Sequence, residues 1–207
     1  RQATPADWGR IVPDVFAAAQ AGVDRTRANQ KLIFAELSKR TAPSEIIRML
    51  KEDPAIETRQ FGILDMQGRS AGYSGAKNGK SSLDRQGQVA GTNIHYSIQG
   101  NILTSDEVVA SAVKAFEAAK GSLTDRVMAA MEAADAKGGD SRCTCETEPK
   151  TEAPCDGKTS HVAYILRADK ADKNGGSFND GSYAMFISVT DKDIKPTENA
   201  NPVKTLR

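Results

Sequence analysis

Cys143, Cys145 and Cys155 crowd into one polar loop that also holds Pro149, Pro154 and Gly157, with His161 just beyond it. Two chemistries fit those residue types. Two of the thiols could close a disulfide, a link that persists in oxidising compartments, leaving the odd cysteine to pair elsewhere. Alternatively, three thiolates and the His161 imidazole could hold zinc tetrahedrally, although Cys-x-Cys is a less usual spacing than the Cys-x-x-Cys of common zinc modules. The disulfide is the reading adopted, with its pairing open and no metal site assigned. Ser160 beside His161 suggests a hydroxyl and its base, but neighbours along a strand point to opposite faces, which argues against a relay there. His95 and His161 are therefore read as packed, hydrogen-bonded residues. Asp172-Lys-Asn-Gly-Gly176 and Asn179-Asp-Gly181 lack the ligand pattern of a calcium loop and read as two turns.

These residues need elements to position them. His95-Tyr-Ser-Ile98 reads as a strand that breaks at Gln99-Gly-Asn101. Thr104 and Glu107 have capping-box spacing, and Val108, Val109, Ala112, Val113, Phe116 and Ala119 then mark a helix with one apolar face. Gly121 ends it. Ser122 and Asp125 open a second helix carrying Leu123, Val127, Ala130, Met131 and Ala134, which Gly138-Gly139 stops. A first helix pair is expected upstream, at about Ala28 to Lys39 and from Pro43 to Leu50, ended by Asp53-Pro54. Gln60 to Leu64 and Ser70 to Ser74 flank Asp65-Met-Gln-Gly-Arg69, which has hairpin turn chemistry. Ser160 to Arg167 and Ser182 to Val189 predict a second hairpin. Residues 1–16 read as a weak strand or arm, Ala17 to Gly22 as a small-residue strand or turn, and Gly75 to Asn93 as a long polar excursion or lid. The tail from Pro196 ends as though a last helix had been cut.

The chain has 207 residues, 39% hydrophobic and 27% charged, enough for one domain with a sizeable core. With 28 basic against 27 acidic residues, it lacks the electrostatic footprint of a nucleic-acid binder. No apolar run reaches the length of a membrane span, so membrane insertion is not expected.

Several separated blocks then resemble the bacterial family known as domain of unknown function 1028, within the N-terminal-nucleophile (Ntn) hydrolase superfamily. They are Arg59-Gln-Phe-Gly-Ile63 with Asp65 and Gly68-Arg69, Gln99-Gly-Asn-Ile-Leu103, and Gly138-Gly-Asp-Ser-Arg142. The resemblance implies an α+β fold, a four-layer αββα sandwich whose two stacked sheets are flanked by antiparallel helix pairs. It also implies one such domain over residues 1–207, incomplete at its N-terminus and cut near its C-terminus. An Ntn hydrolase attacks an amide with the side chain of a terminal Thr, Ser or Cys. Arg1 cannot serve, so the nucleophile is expected outside this chain, on a longer or companion N-terminal segment. Asn101 is then the candidate oxyanion donor, or else a cap of its own turn. Gln99, Asp140 and Arg142 are candidate substrate-binding residues, with backbone pairing or an exposed ion pair as their structural alternatives. The expected function is an amidohydrolase, secreted or periplasmic, acting on a small amide or peptide-like ligand without a cofactor. The alternative is a noncatalytic binding or assembly module, acting as a homo-oligomer or with a companion chain.

Overall fold

The computed structural model describes residues 9–12, 15–20, 24, 26–173 and 182–207, the first two segments through their backbone alone. Of the weak strand or arm expected over residues 1–16, residues 1–8, 13 and 14 lie outside the described residues, as do Gly22, Asn174 to Gly176 and the turn at Asn179-Asp-Gly181. The chain divides into two compact units, Arg1–Asn101 with Ala168–Ala184, and Ile102–Arg167 with Met185–Arg207. Among the described residues it is a mixed α+β protein of antiparallel sheets and five helices.

In the first unit, strands β1 (Gly9–Val12), β2 (Val15–Gln20), β3 (Gln60–Asp65) and β4 (Ser70–Ser74) form an antiparallel sheet in that order. Helices α1 (Ala28–Ser38) and α2 (Pro43–Leu50) lie between β2 and β3 in sequence, and Pro43 occupies the first turn of α2 as expected. Strand alternation sends Phe61 and Ile63 to one face of β3. There they join Ile33, Leu37, Ile46, Ile47 and Leu50 in a buried cluster, with Ala71 and Tyr73 of β4 packed against it. The β3–β4 turn is the expected hairpin. Asp65 accepts from the backbone N–H groups of Gln67 and Arg69, both at 2.9 Å, and Gly68 supplies the positive φ of 76°.

Strands β5 (Leu83–Gln88) and β6 (His95–Gly100) pair antiparallel. This corrects the reading of Gly75 to Asn93 as one long excursion, because β5 lies inside it. Leu83-Asp-Arg-Gln-Gly-Gln88 has neither β-branched residues nor an apolar alternation, since the face it turns inward is polar.

The second unit holds α3 (Glu107–Ala118), α4 (Leu123–Asp135), β7 (Val162–Arg167), β8 (Met185–Thr190) and α5 (Pro202–Leu206). The expected helix pair forms, and the Ser122–Asp125 capping box at the start of α4 is complete. Arg126, buried in α4, donates from Nη1 to the carbonyls of Phe116 (2.8 Å) and Glu117 (3.2 Å), satisfying the C-terminal end of α3. The capping box expected at Thr104 does not form. Its hydroxyl donates instead to the carbonyls of Gly138 and Gly139, and α3 begins without a side-chain cap. Gly138 and Gly139 end the pair at φ 93° and 50°. Strand β8 begins at Met185, later than expected, in register with Arg167.

Candidate functional site

The face of β3 and β4 turned away from the helices carries Gln60, Gly62, Leu64, Ser70, Gly72 and Ser74, so beyond Leu64 it presents polar side chains and bare backbone. It meets the polar face of β5 and β6. Gly62 and Gly72 are register partners across the two strands. A Cβ on Gly62 would fall 2.1 Å from Gln99 Oε1 and 2.6 Å from Ser97 Oγ, and one on Gly72 would fall 2.2 Å from Gln86 Nε2 and 2.3 Å from Asp84 Oδ1. The paired glycines are thus a patch of bare backbone on which four polar side chains rest.

Much of this seam is hydrogen-bonded. Gln60 is completely buried, and its Nε2 lies 2.8 Å from Ser74 Oγ, 3.1 Å from the Leu83 carbonyl and 2.9 Å from the Gly100 carbonyl. Ser74 donates in turn to Asp84 Oδ2 at 2.9 Å, and Gln86 Nε2 reaches Asp84 Oδ1 and Ser97 Oγ, both at 3.3 Å. Gln99 is the exception. Both its amide nitrogen and its amide oxygen are buried, and among the described residues neither has a hydrogen-bond partner; the same holds for Gln60 Oε1 in the same seam. A native interior leaves few such atoms, because each forfeits its water without replacement.

Asn101 ends this seam. Its Nδ2 donates to Asn78 Oδ1 at 3.2 Å and approaches the Asn78 carbonyl at 3.4 Å, and Asn78 is itself buried. The side chain therefore tethers the loop after β4. Gln99, Asn101, Asp84 and Ser74 are brought together in one unit.

Asp140 and Arg142 belong to the second unit and pair with each other, Arg142 Nε lying 2.9 Å from Asp140 Oδ1. Asp140 keeps the Arg142 guanidinium above its already high range. Cys145 and Cys155 form the disulfide, so two of the four ligands of the zinc alternative are consumed. Cys143 is the free thiol, buried, and that burial pushes its pKa up to about 11. The thiol is therefore held in its unreactive form. Sequence reasoning also missed an internal ionic group. Asp191 accepts from His161 Nδ1 at 2.6 Å and pairs with Lys158 Nζ at 2.8 Å, with the Lys158 and Asp191 side chains 2% and 0% exposed. Asp191 lies thirty positions from His161, and no local spacing announces the pair. For Gln99, by contrast, a usable signal existed in the glycines inside two adjacent strands, which mark a close approach.

A model of the family of unknown function DUF1028 matches residues 10–148, more than half of the chain. A protein from Silicibacter pomeroyi, solved by crystallography and assigned to the same family model, is similar with a TM-score of 0.55 at 20% identity, over 65% of this chain and 59% of that one. The chain thus spans less than two thirds of that protein's length, and at such identity the likeness concerns the fold. No curated protein matches the chain.

Proposed function

The chain belongs to the family of unknown function DUF1028, and from that premise we propose that it is part of an Ntn-type amidohydrolase acting on a small amide or peptide-like substrate. The proposal includes the αββα arrangement that the family resemblance implies, with the β3–β4 and β5–β6 strands as its facing sheets. The observation that carries it is the buried polar seam of the first unit, in which amides and hydroxyls surround the Asp84 carboxylate and which ends at the Asn101 side-chain amide. Neutral donors preorganised in a buried place are what a developing oxyanion requires. In the reaction, a terminal hydroxyl or thiol outside these 207 residues attacks the amide carbonyl, and the amine departs with a proton. Water then releases the acid and restores the nucleophile. Asn101 Nδ2 faces the negative oxygen of the tetrahedral intermediate once it exchanges Asn78 for substrate.

The Cys145–Cys155 disulfide supports a secreted or periplasmic location. Among the described residues no helix is long and apolar enough to cross a membrane. Intact mass of the native protein under denaturing conditions, with and without reduction, tests the proposal. A longer chain, or a companion peptide whose first residue is Thr, Ser or Cys, is expected; 22.1 kDa alone would refute it.

One observation favours the alternative, a noncatalytic binding or assembly module. Phe186 and Ile187, neighbours on β8 that point to opposite faces, are 42% and 41% exposed. A strand with apolar residues open on both faces is suited to pairing with another chain.

A further inference from the structure

Among the described residues β8 pairs with β7 alone, in a register that sets Ile187 opposite Ile165 and Val189 opposite Ala163. Ala163 and Ile165 are 3% and 5% exposed, whereas Ile187 is 41% exposed. The apolar face that β7 buries therefore runs out at β8. The backbone shows how much of the free side of β8 is open. The Asp191 N–H donates to the His161 carbonyl, continuing the β7–β8 register, so Met185, Ile187 and Val189 turn their N–H and C=O groups towards β7, and Phe186, Ser188 and Thr190 turn theirs outward. Thr190 is already engaged: Asp193 Oδ2 accepts its N–H at 2.8 Å, and the Asp193 N–H donates to its carbonyl at 2.9 Å. The N–H of Ala184, just before the strand, is likewise taken by Asp172 Oδ2 at 2.8 Å. What stays open is Phe186 to Ser188, exposed throughout and centred on Ile187, with water serving its outward main-chain groups in the isolated chain.

We propose that a second copy of this chain occupies that stretch, the two β8 strands pairing antiparallel about a two-fold axis at Ile187. Phe186 then exchanges main-chain hydrogen bonds with the partner's Ser188, and Ser188 with the partner's Phe186. Ile187 meets the partner's Ile187 and Met185 the partner's Val189, so the apolar face continues across the axis from Ile165. The paired residues carry no charge, and β8 holds none of the Lys, Pro or bulge with which proteins block an open edge. A long strand from an unrelated protein fits less well, because Asp172 and Asp193 have closed both ends; a two-fold pairing needs only the central window. The pairing uses the same exposed strand as the assembly reading but does not require that catalysis be absent.

The test is sedimentation of the native, full-length protein together with oxidation of its Ile187→Cys variant by glutathione disulfide. One strand per copy makes an interface of the small class, below about 1,200 Å², so a dimer that dissociates on dilution is expected. Ile187→Cys should link to its own copy, because opposed residues that exchange no main-chain bonds lie about 4.5 Å apart at Cα, within disulfide reach. Lys192→Cys, beyond the closed end, should link at least about tenfold more slowly. Ser188→Pro removes an outward N–H without touching a bond to β7, and Ile187→Lys sets two ammonium groups against each other at the axis; each is expected to weaken the dimer by about tenfold or more. A chain still monomeric at about 0.5 mM, a dimer whose Ile187→Cys stays unlinked, or a dimer indifferent to both variants when circular dichroism shows them folded overturns the pairing. A linked dimer without a terminal nucleophile keeps the pairing while removing the amidohydrolase reading. A monomer that carries such a nucleophile does the reverse.

Discussion

Two glutamines of the same seam should respond to the same substitution with opposite signs. Gln→Met keeps the length and approximate volume of the side chain while removing its amide, so packing changes little. At Gln99 the amide makes no hydrogen bond among the described residues although both of its polar atoms are buried. Removing it relieves a desolvation cost of about 1–3 kcal/mol. For a chain of this size, 1 kcal/mol moves the melting temperature by about 2–4 °C, so Gln99→Met is expected to melt roughly 2–12 °C higher. At Gln60 the amide nitrogen serves Ser74 and two main-chain carbonyls across the seam. Its loss strands buried acceptors, and Gln60→Met is expected to be less stable by a similar 1–3 kcal/mol. Thermal and urea unfolding of both variants, followed by circular dichroism, reads the two signs directly. If Gln99→Met is destabilised by 1 kcal/mol or more, Gln99 is satisfied in the free protein, and the reasoning about an uncommitted amide is refuted.

Other perturbations test the rest of the structure. Lys158→Met removes the cation paired with the buried Asp191, and breaking a buried pair at one partner costs about 3–5 kcal/mol in urea unfolding; a change below 1 kcal/mol would show the pair to be hydrated. Asp53 is held below the usual carboxylate range, first by the Asn29 side-chain amide and also by Arg59. Because that pKa is depressed on folding, its contribution is present above the unfolded value near pH 4 and lost as pH falls through the folded value. The stability difference between the natural chain and Asp53→Asn should therefore hold steady from pH 7 to about pH 5 and shrink below pH 4; a gap that widens with acid contradicts the assignment. Cys143, whose thiol burial pushes up to about 11, holds about one thiolate in a thousand at pH 8. Iodoacetamide should leave it unmodified in the folded protein and alkylate it rapidly in denaturant, as peptide mass mapping would show. Reducing Cys145–Cys155 should cost about 2–4 kcal/mol, measured by unfolding with and without reductant.

The parts of the fold legible in the amino-acid order are those whose signals are local and apolar. The α3–α4 pair follows from helical spacing, from Ser122 with Asp125, and from the double glycine. The β3–β4 hairpin follows from Asp65 and Gly68. Strand β5 was illegible for a physical reason: Asp84, Gln86 and Gln88 face polar partners, so the alternation that normally betrays a half-buried strand is missing. Thr104 had the spacing of a cap, but its hydroxyl is engaged by the Gly138 and Gly139 carbonyls, a tertiary contact that no local pattern encodes. The candidate site divides along the same line. Gln99 and Asn101 stand out in sequence by the Gln-Gly-Asn break read after Ile98, although β6 runs on through Gln99 to Gly100, whereas the bare-backbone patch beneath Gln99 depends on the β3–β4 register, and the Lys158–Asp191–His161 group on contacts between distant segments.

An Ntn-type amidohydrolase requires a terminal nucleophile, and the most direct measurement is labelling of the native, full-length protein with a β-lactone, which acylates activated hydroxyls and thiols. Peptide mapping then locates the adduct. One stoichiometric adduct on a chain-terminal Thr, Ser or Cys, weakened in Asn101→Ala, is the predicted result. No adduct, or one confined to surface lysines, would contradict an Ntn-type amidohydrolase.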